Sequence, residues 1–164
     1  MIEFRSLAHL AQHFEKVASL QAQVDKAALT KGAIRVERLA KSKIGQYQPE
    51  AGPFAEWREL AESTKSDRKS QGYNEDDPLL RTGELRDSID YTVEAKEAAV
   101  GSASQIASYQ ELGTKTIPPR SFLGSSAVES AQGFVRDTGR IAFRPFQRKP
   151  IAVVTDKHRR ESDV

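Results

Sequence analysis

The sequence contains no cysteine among its 164 residues. This absence excludes a disulfide framework, a thiolate-ligated metal site and a cysteine nucleophile, and it fits a reducing compartment. No apolar run approaches the roughly 18 residues that a membrane span requires. The first residues, Met1–Arg5, also lack the pattern of a signal peptide. We therefore predict a soluble protein that is made and used without export and that has no membrane partner.

Large apolar residues are scarce. Ile, Leu, Val and Phe together account for 36 of the 164 residues, which lies only just above the range typical of chains that cannot fold. The net charge is only +2, so self-repulsion gives no reason for global disorder. These two observations predict a modest core and a stability that depends partly on neighbouring subunits.

The first forty-odd residues have helical periodicity. Apolar residues fall within one arc at 100° per residue, namely Phe4, Leu7, Leu10, Ala11, Phe14, Val17, Ala18 and Val24. A second helical stretch continues to Ile44, and Gly45 with Pro49 ends it. Gly32 lies between the two stretches, and propensity does not decide whether it breaks, kinks or only weakens one long helix.

The pattern changes after residue 45. Phe54, Trp57 and Leu60 allow a short amphipathic helix over residues 54–61. Residues 63–77 then contain Tyr73 as their only large apolar side chain. Because such a segment cannot offset its ordering entropy by burial, we predict a mobile loop over 63–78 that becomes ordered against a partner.

Residues 79–113 alternate between helical and extended patterns. Thr82 is typical of a cap for a short helix, and Ile89 begins an apolar alternation that predicts a β-hairpin with its turn at residues 96–97. One face of this hairpin is expected to pack on the long helices. Tyr109 and Leu112 then suit a helix that Gly113 ends, and we expect both to bury against the sheet.

The last third contains a stiff segment, a helix and a basic stretch. Pro118 and Pro119 keep residues 116–123 extended. Ser126 and Glu129 have the spacing of a capping box at the start of a final helix. Residues 136–160 contain eight basic residues against two acidic ones. We therefore divide the chain into a single α+β domain, residues 1–135, and a basic C-terminal arm, residues 136–164, with one strand near 150–155.

Patterns that indicate catalysis are weak. His9 and His13 have the i, i+4 spacing of a zinc pair, but Leu10 stands where a metalloprotease requires glutamate. Phosphate-binding and dinucleotide-binding motifs do not occur in the sequence. The acidic pairs Asp76–Asp77 and Glu84/Asp87 are more typical of exposed loops and helix starts than of acid–base sites. We predict no enzyme, no metal and no cofactor.

The arm allows two interpretations. Its positive charges would attract phosphate without reading sequence, through the residues Arg140, Arg144, Arg148 and Lys149. Phe143 and Phe146 lie between these charges and also suit docking into a protein groove. A contact with protein is favoured because the overall charge is nearly balanced.

Four ordered pieces of sequence resemble a known family. They are residues 79–89 (LLRTGELRDSI), 100–102 (VGS), 107–114 (ASYQELGT) and 117–123 (IPPRSFL). This series is similar to the tail-completion and head–tail joining proteins of tailed bacteriophages, which include the virion-morphogenesis protein of Mu-like phages and the minor neck protein of lambdoid phages. Trp57 through Leu60, followed by Thr64, also resembles the Mu-like branch. The resemblance covers residues 54–135.

The resemblance implies a fold and a function. The fold would be α+β, with long N-terminal helices packed on a small, mainly antiparallel sheet. The protein would be a structural component of the neck or tail top that completes the head-proximal end of a tail and joins it to the head. It would form a ring, with six copies, around the DNA channel. Partners would include a tail terminator, a head-completion protein or the tail tube, with non-specific contact to DNA, and assembly would take place in the host cytoplasm.

If the resemblance to this family holds, the stiff segment, residues 116–123, is the predicted interface. Its prolines would let Phe122 and Leu123 project at little entropic cost, and Arg120 would offer its guanidinium to a neighbour's carboxylate. The complete predicted interface is Pro118, Pro119, Arg120, Phe122, Leu123, Phe143 and Phe146. Two alternatives stay open. The segment closes the core of the monomer, or the protein is a nucleic-acid-binding accessory protein that uses the arm and dimerises through its helices.

Overall fold

The computed structural model describes residues 6–94 and 96–143. Their helices and strands follow in chain order as α1 (Leu7–Lys43), α2 (Glu62–Ser70), α3 (Glu84–Asp87), β1 (Ile89–Val93), β2 (Ala98–Ser102), α4 (Gln105–Leu112) and α5 (Leu123–Phe143). This arrangement confirms the α+β prediction, with a long N-terminal helix and a small antiparallel sheet. The predicted strand near 150–155 lies outside the described residues.

The N-terminal region is one continuous helix. It begins after Ser6, whose Oγ accepts a hydrogen bond from the His9 N–H, and it spans 37 residues, or about 55 Å at 1.5 Å per residue. Gly32 stays helical, and a Cβ added there would lie 2.5 Å from Cδ2 of Phe134 in α5. Gly32 therefore allows close approach of two helices and does not end either of them.

Helix α5 packs antiparallel against α1. In the last turn of α1, Lys43 Nζ donates to Ser125 Oγ at 2.8 Å and contacts Glu129 Oε1 at 2.5 Å. Eleven residues earlier in α1, Gly32 faces Phe134, nine residues further along α5. The two helices form the most extensive contact between elements of the described fold.

The hairpin forms as predicted. β1 and β2 pair antiparallel, with Ile89 opposite Ser102 and Val93 opposite Ala98. Both strands pack against α1, as expected for the long helix. The core at this junction is small, and its buried members are Ala40, Ile44, Trp57, Leu85, Ile89, Ala107 and Phe122.

The prediction of a helix over residues 54–61 is wrong. Ala51 and Phe54 pair as an isolated β-bridge, and the Trp57 N–H donates to the Gln48 carbonyl at 2.9 Å. The buried Trp57 indole donates from Nε1 to the Ser121 carbonyl at 3.3 Å. Trp57 is thus held by backbone groups distant in sequence, which helical periodicity cannot reveal.

The prediction of a loop over residues 63–78 is also wrong for its first half, which forms α2. The Arg68 side chain is buried and donates from Nε to the Asn74 carbonyl at 2.8 Å and from Nη2 to the Leu80 carbonyl. One side chain therefore connects α2 to the segment that follows it. Hydrogen bonds provide here the order that apolar burial cannot.

Both predicted helix starts differ from the structure. α3 begins at Glu84 after Gly83, and Thr82 Oγ1 only accepts a long 3.4 Å bond from the Glu84 N–H. α5 begins at Leu123, three residues before the proposed cap. Ser126 Oγ donates to the Phe122 carbonyl at 2.6 Å inside the helix, so it is not a capping residue.

The predicted burial of the α4 apolar residues is wrong. Tyr109 is 44% exposed and Leu112 is 76% exposed. The helix instead turns the small residue Ala107 inward, at 4% exposure. Amphipathic spacing identified the apolar face of α4 correctly, but this face points to solvent.

Phe122 is a core residue, so its truncation should destabilise the isolated chain. Its side chain is fully buried. We expect Phe122→Ala to lower the free energy of unfolding by about 3–5 kcal/mol, measured by urea denaturation. Leu112→Ala is the matched control at an exposed site and should change it by less than about 0.5 kcal/mol. Equal small effects of the two substitutions would contradict the assignment of Phe122 to the core.

Candidate functional site

A cleft of about 570 Å³ opens where α2, α3, α4 and residues 116–120 meet. Its walls are largely apolar and include Leu60, Leu79, Ile106 and Ile117. Two buried arginines, Arg68 and Arg120, also line it. A cleft of this size accommodates a few residues of an extended segment.

The position of the stiff segment depends on Glu111, near the end of α4. One carboxylate oxygen, Oε2, accepts the backbone N–H groups of Phe122 and Leu123 at 2.8 and 2.9 Å. The other, Oε1, accepts the Gly124 N–H at 2.8 Å and the Ser121 hydroxyl at 2.5 Å. Glu111 therefore satisfies the free N–H groups at the start of α5, where a negative charge is favourable.

A tight turn connects α4 to this segment. Gly113 has φ 75° and ψ 174°, a conformation that essentially only glycine adopts. The Thr114 N–H donates to the Ile117 carbonyl at 2.9 Å, and the Arg120 N–H donates to the Gln110 carbonyl at 2.7 Å. These bonds fold the chain back so that Pro118 and Arg120 lie beside α4.

Arg120 is held inside its own chain. Its side chain is 6% exposed, and Nη2 donates to the carbonyls of Arg58 and Glu59 at 2.9 and 3.4 Å. Nε is buried and has no hydrogen-bond partner among the described residues. Burial lowers the pKa of the guanidinium below its usual value.

Tyr47 links the segment that follows α1 to the chain on either side of α2. Its hydroxyl donates to Asp76 Oδ1 at 2.6 Å and accepts the Leu60 N–H at 3.1 Å. Burial raises the pKa of the Tyr47 hydroxyl, and the hydrogen bond to Asp76 raises it further. This network fixes the chain at Leu60, which lines the cleft. Its carboxylate, Asp76, is one of the acids that the sequence analysis assigned to an exposed loop.

The predicted interface residues occupy different environments. Phe122 is fully buried in the core, which agrees with the core alternative. Arg120 is also buried, but it lines the cleft. Pro118 and Leu123 are half-buried, and Pro119 is exposed. Their contact with a partner stays a prediction.

The residues of the arm are described only in part. Arg140 and Phe143 lie in α5, where the structure describes their backbone. The remaining predicted residues, Arg144, Phe146, Arg148 and Lys149, lie outside the described residues. The proposed DNA and protein contacts of the arm therefore stay predictions.

Helix α4 has an exposed apolar face that the sequence analysis did not predict. Ile106, Tyr109 and Leu112 are 57%, 44% and 76% exposed and recur every three residues, so they share one side of the helix. Ile106 also lines the cleft, which makes the face continuous with it. The sequence shows that these residues share one side of the helix, but it does not show that this side faces solvent.

In residues 6–94 and 96–143, no group of three or more histidine, aspartate or glutamate side chains is arranged to hold a metal ion. No helix in that part of the chain is long and apolar enough to cross a membrane.

Removal of the Glu111 charge should destabilise the fold. Glu111→Gln leaves backbone donors at the start of α5 without a charged acceptor. We expect a loss of about 1–3 kcal/mol in the free energy of unfolding, measured by urea denaturation. Glu56→Gln is the matched control, since Glu56 is exposed and makes no hydrogen bond or ion pair to another described residue. If both variants unfold alike, the capping role of Glu111 is wrong.

The turn at Gly113 provides a second test. A Cβ there would lie 2.9 Å from the Pro119 nitrogen and 3.0 Å from the Ile117 carbonyl oxygen. We expect Gly113→Ala to lower the free energy of unfolding by about 1–3 kcal/mol because of backbone strain. The crowding by the added Cβ should lower it further. Gly72→Ala is the control, because Gly72 has φ 78° and nothing within 4 Å of an added Cβ. A smaller loss at Gly113 than at Gly72, by thermal denaturation, would refute the crowding argument.

Comparison with known proteins identifies a family. A sequence profile described as the phage virion morphogenesis family matches residues 7–145. No curated protein and no solved structure matches the chain.

Proposed function

The chain belongs to the phage virion morphogenesis family, and we propose that it completes the head-proximal end of a phage tail and joins the tail to the head. Family membership supports a structural or assembly role in the virion. The finer assignment rests on the similarity of residues 79–123 to tail-completion and head–tail joining proteins. The protein would act at the neck or tail top, after assembly in the host cytoplasm.

The observation that carries this proposal is the apolar face of α4. Three large apolar side chains, Ile106, Tyr109 and Leu112, are exposed on one helix of a chain that is poor in such residues. Exposed apolar patches of this kind are typical of interaction sites. An assembly protein would cover them in the virion, which agrees with the small core of the isolated chain.

A ring of identical copies needs two different surfaces that fit each other. The α4 face provides one candidate. Another lies on the first half of α1, where Leu7 and Phe14 are 85% and 60% exposed and share one side of the helix. A head-to-tail contact between these two surfaces would close a ring around the DNA channel, with six copies as the family resemblance implies.

Further partners follow from the same role. The ring would contact a tail terminator, a head-completion protein or the tail tube. The basic residues from Arg140 onwards would touch DNA in the channel without reading its sequence. We propose that the protein acts through binding and geometry, without catalysis and without a cofactor.

The α4 face can be tested in phage that lack this gene and receive it from a plasmid. We expect Leu112→Asp to leave the thermal stability of the isolated protein unchanged, because Leu112 is 76% exposed. It should block joining, since a buried charge at an interface centre costs about 2 kcal/mol or more. Electron microscopy should then show separate heads and tails. Ser66→Asp, on the exposed surface of α2, is the control and should give whole virions.

Two outcomes would contradict the proposal. Whole, infectious virions from phage without the protein would exclude a joining role. Normal joining with Leu112→Asp would exclude the α4 face. A variant truncated before Arg140 tests the basic residues separately. Joined particles that fail only to retain DNA would identify these residues as a phosphate contact.

A further inference from the structure

The cleft contains two buried positive charges that lack a negative partner within the described part of the chain. Arg68 and Arg120 are 5% and 6% exposed, and both line the cleft. Each donates only to backbone carbonyl groups, and neither lies within 4 Å of a carboxylate of the described residues. This differs from Lys43, which is also buried but is paired with Glu129.

The desolvation cost of these two guanidinium groups is only partly offset. Carbonyl dipoles offset only part of the cost of removing a guanidinium from water, and an ionic partner offsets more of it. In both arginines, Nη1 makes no hydrogen bond to a described residue and keeps some contact with solvent. Since both side chains line the cleft, Nη1 is the nitrogen that can receive an acceptor there.

The other groups of the cleft restrict the ligand. Leu60, Leu79, Ile106 and Ile117 provide apolar walls that suit aliphatic side chains on either side of an anionic group. The lining also contains the exposed acids Glu59 and Glu84, whose repulsion grows with the charge of the ligand and therefore disfavours a polyphosphate chain more than a single carboxylate. Arg81, the remaining cation of the lining, is already paired with Asp67 at 3.1 Å.

We propose that this cleft binds a protein segment that presents one carboxylate between apolar side chains. Arginine suits this role because its fork of donors matches the carboxylate oxygens. The carboxylate would approach the free nitrogens of Arg68 and Arg120, and the flanking side chains would contact the apolar walls. That the segment belongs to a virion protein rests on the proposed function, whereas the preference for a carboxylate rests on the two arginines.

Thr64 allows a test that leaves both arginines in place. It is exposed, lines the cleft, and precedes Arg68 by four residues on α2, so the two side chains are neighbours. Thr64→Glu would place a tethered carboxylate beside the site, whereas Thr64→Gln has almost the same shape without the charge. Ser63→Glu, in the same turn but outside the cleft lining, is the control for a charge at the start of α2.

The probe is the tripeptide Val-Glu-Val, acetylated and amidated at its ends, with Val-Gln-Val for comparison. Binding to the full chain is followed by ¹⁵N chemical shifts. We expect Val-Glu-Val to shift the amide signals of Thr64, Ile106 and Thr116, and to bind at least about tenfold more tightly than Val-Gln-Val, as a charge-assisted bond implies. Thr64→Glu should weaken its binding about tenfold relative to Thr64→Gln, and Ser63→Glu should not.

Three results would overturn the inference. They are equal binding of the two peptides, equal binding by the two Thr64 variants, and displacement of Val-Glu-Val by an equal concentration of inorganic phosphate, which would identify a general anion site. All variants must keep the melting temperature of the wild type, which separates binding from folding. Because these measurements use the isolated protein, the inference can fail while head–tail joining is confirmed, and the reverse also holds.

Discussion

The fold depends on one carboxylate at the start of a helix. Glu111 accepts three backbone N–H groups of residues 122–124 and the hydroxyl of Ser121. These bonds connect α4 to α5, and α5 in turn packs along α1. The same contact directs Phe122 into the core and sets the path of residues 116–120, which form one wall of the cleft. The positions of the core residue Phe122 and of this wall of the cleft therefore both depend on Glu111.

The chain compensates for its few apolar residues with long polar side chains that bind backbone and carboxylate groups. Arg68 connects α2 to Asn74 and Leu80, and Tyr47, just after α1, binds Leu60 and Asp76. Lys43 joins α1 to α5. Each such contact adds about 1 kcal/mol or somewhat more. Several of them together order segments whose apolar content would not be sufficient.

This construction leaves large apolar side chains available for assembly. The core at the junction of α1, the hairpin and α5 is narrow, and the face of α4 lies outside it. The cleft beside that face combines apolar walls with buried guanidinium groups that lack an ionic partner in the described chain. An exposed apolar face next to such a cleft agrees with the structural or assembly role of the phage virion morphogenesis family. That other virion components complete these contacts is our proposal.

The sequence by itself determined the elements whose signals are local. Apolar periodicity identified the N-terminal helix, alternation identified the hairpin, and Gly113 marked the end of α4, because each pattern reflects the geometry of neighbouring residues. Only the tertiary structure decided the rest. Trp57, Arg68 and Glu111 bind backbone groups that are brought to them by chain reversal, and no spacing rule encodes such partners. The orientation of α4 was decided in the same way. Its apolar spacing is equally compatible with a buried or an exposed face, and the outcome depends on which other elements cover it.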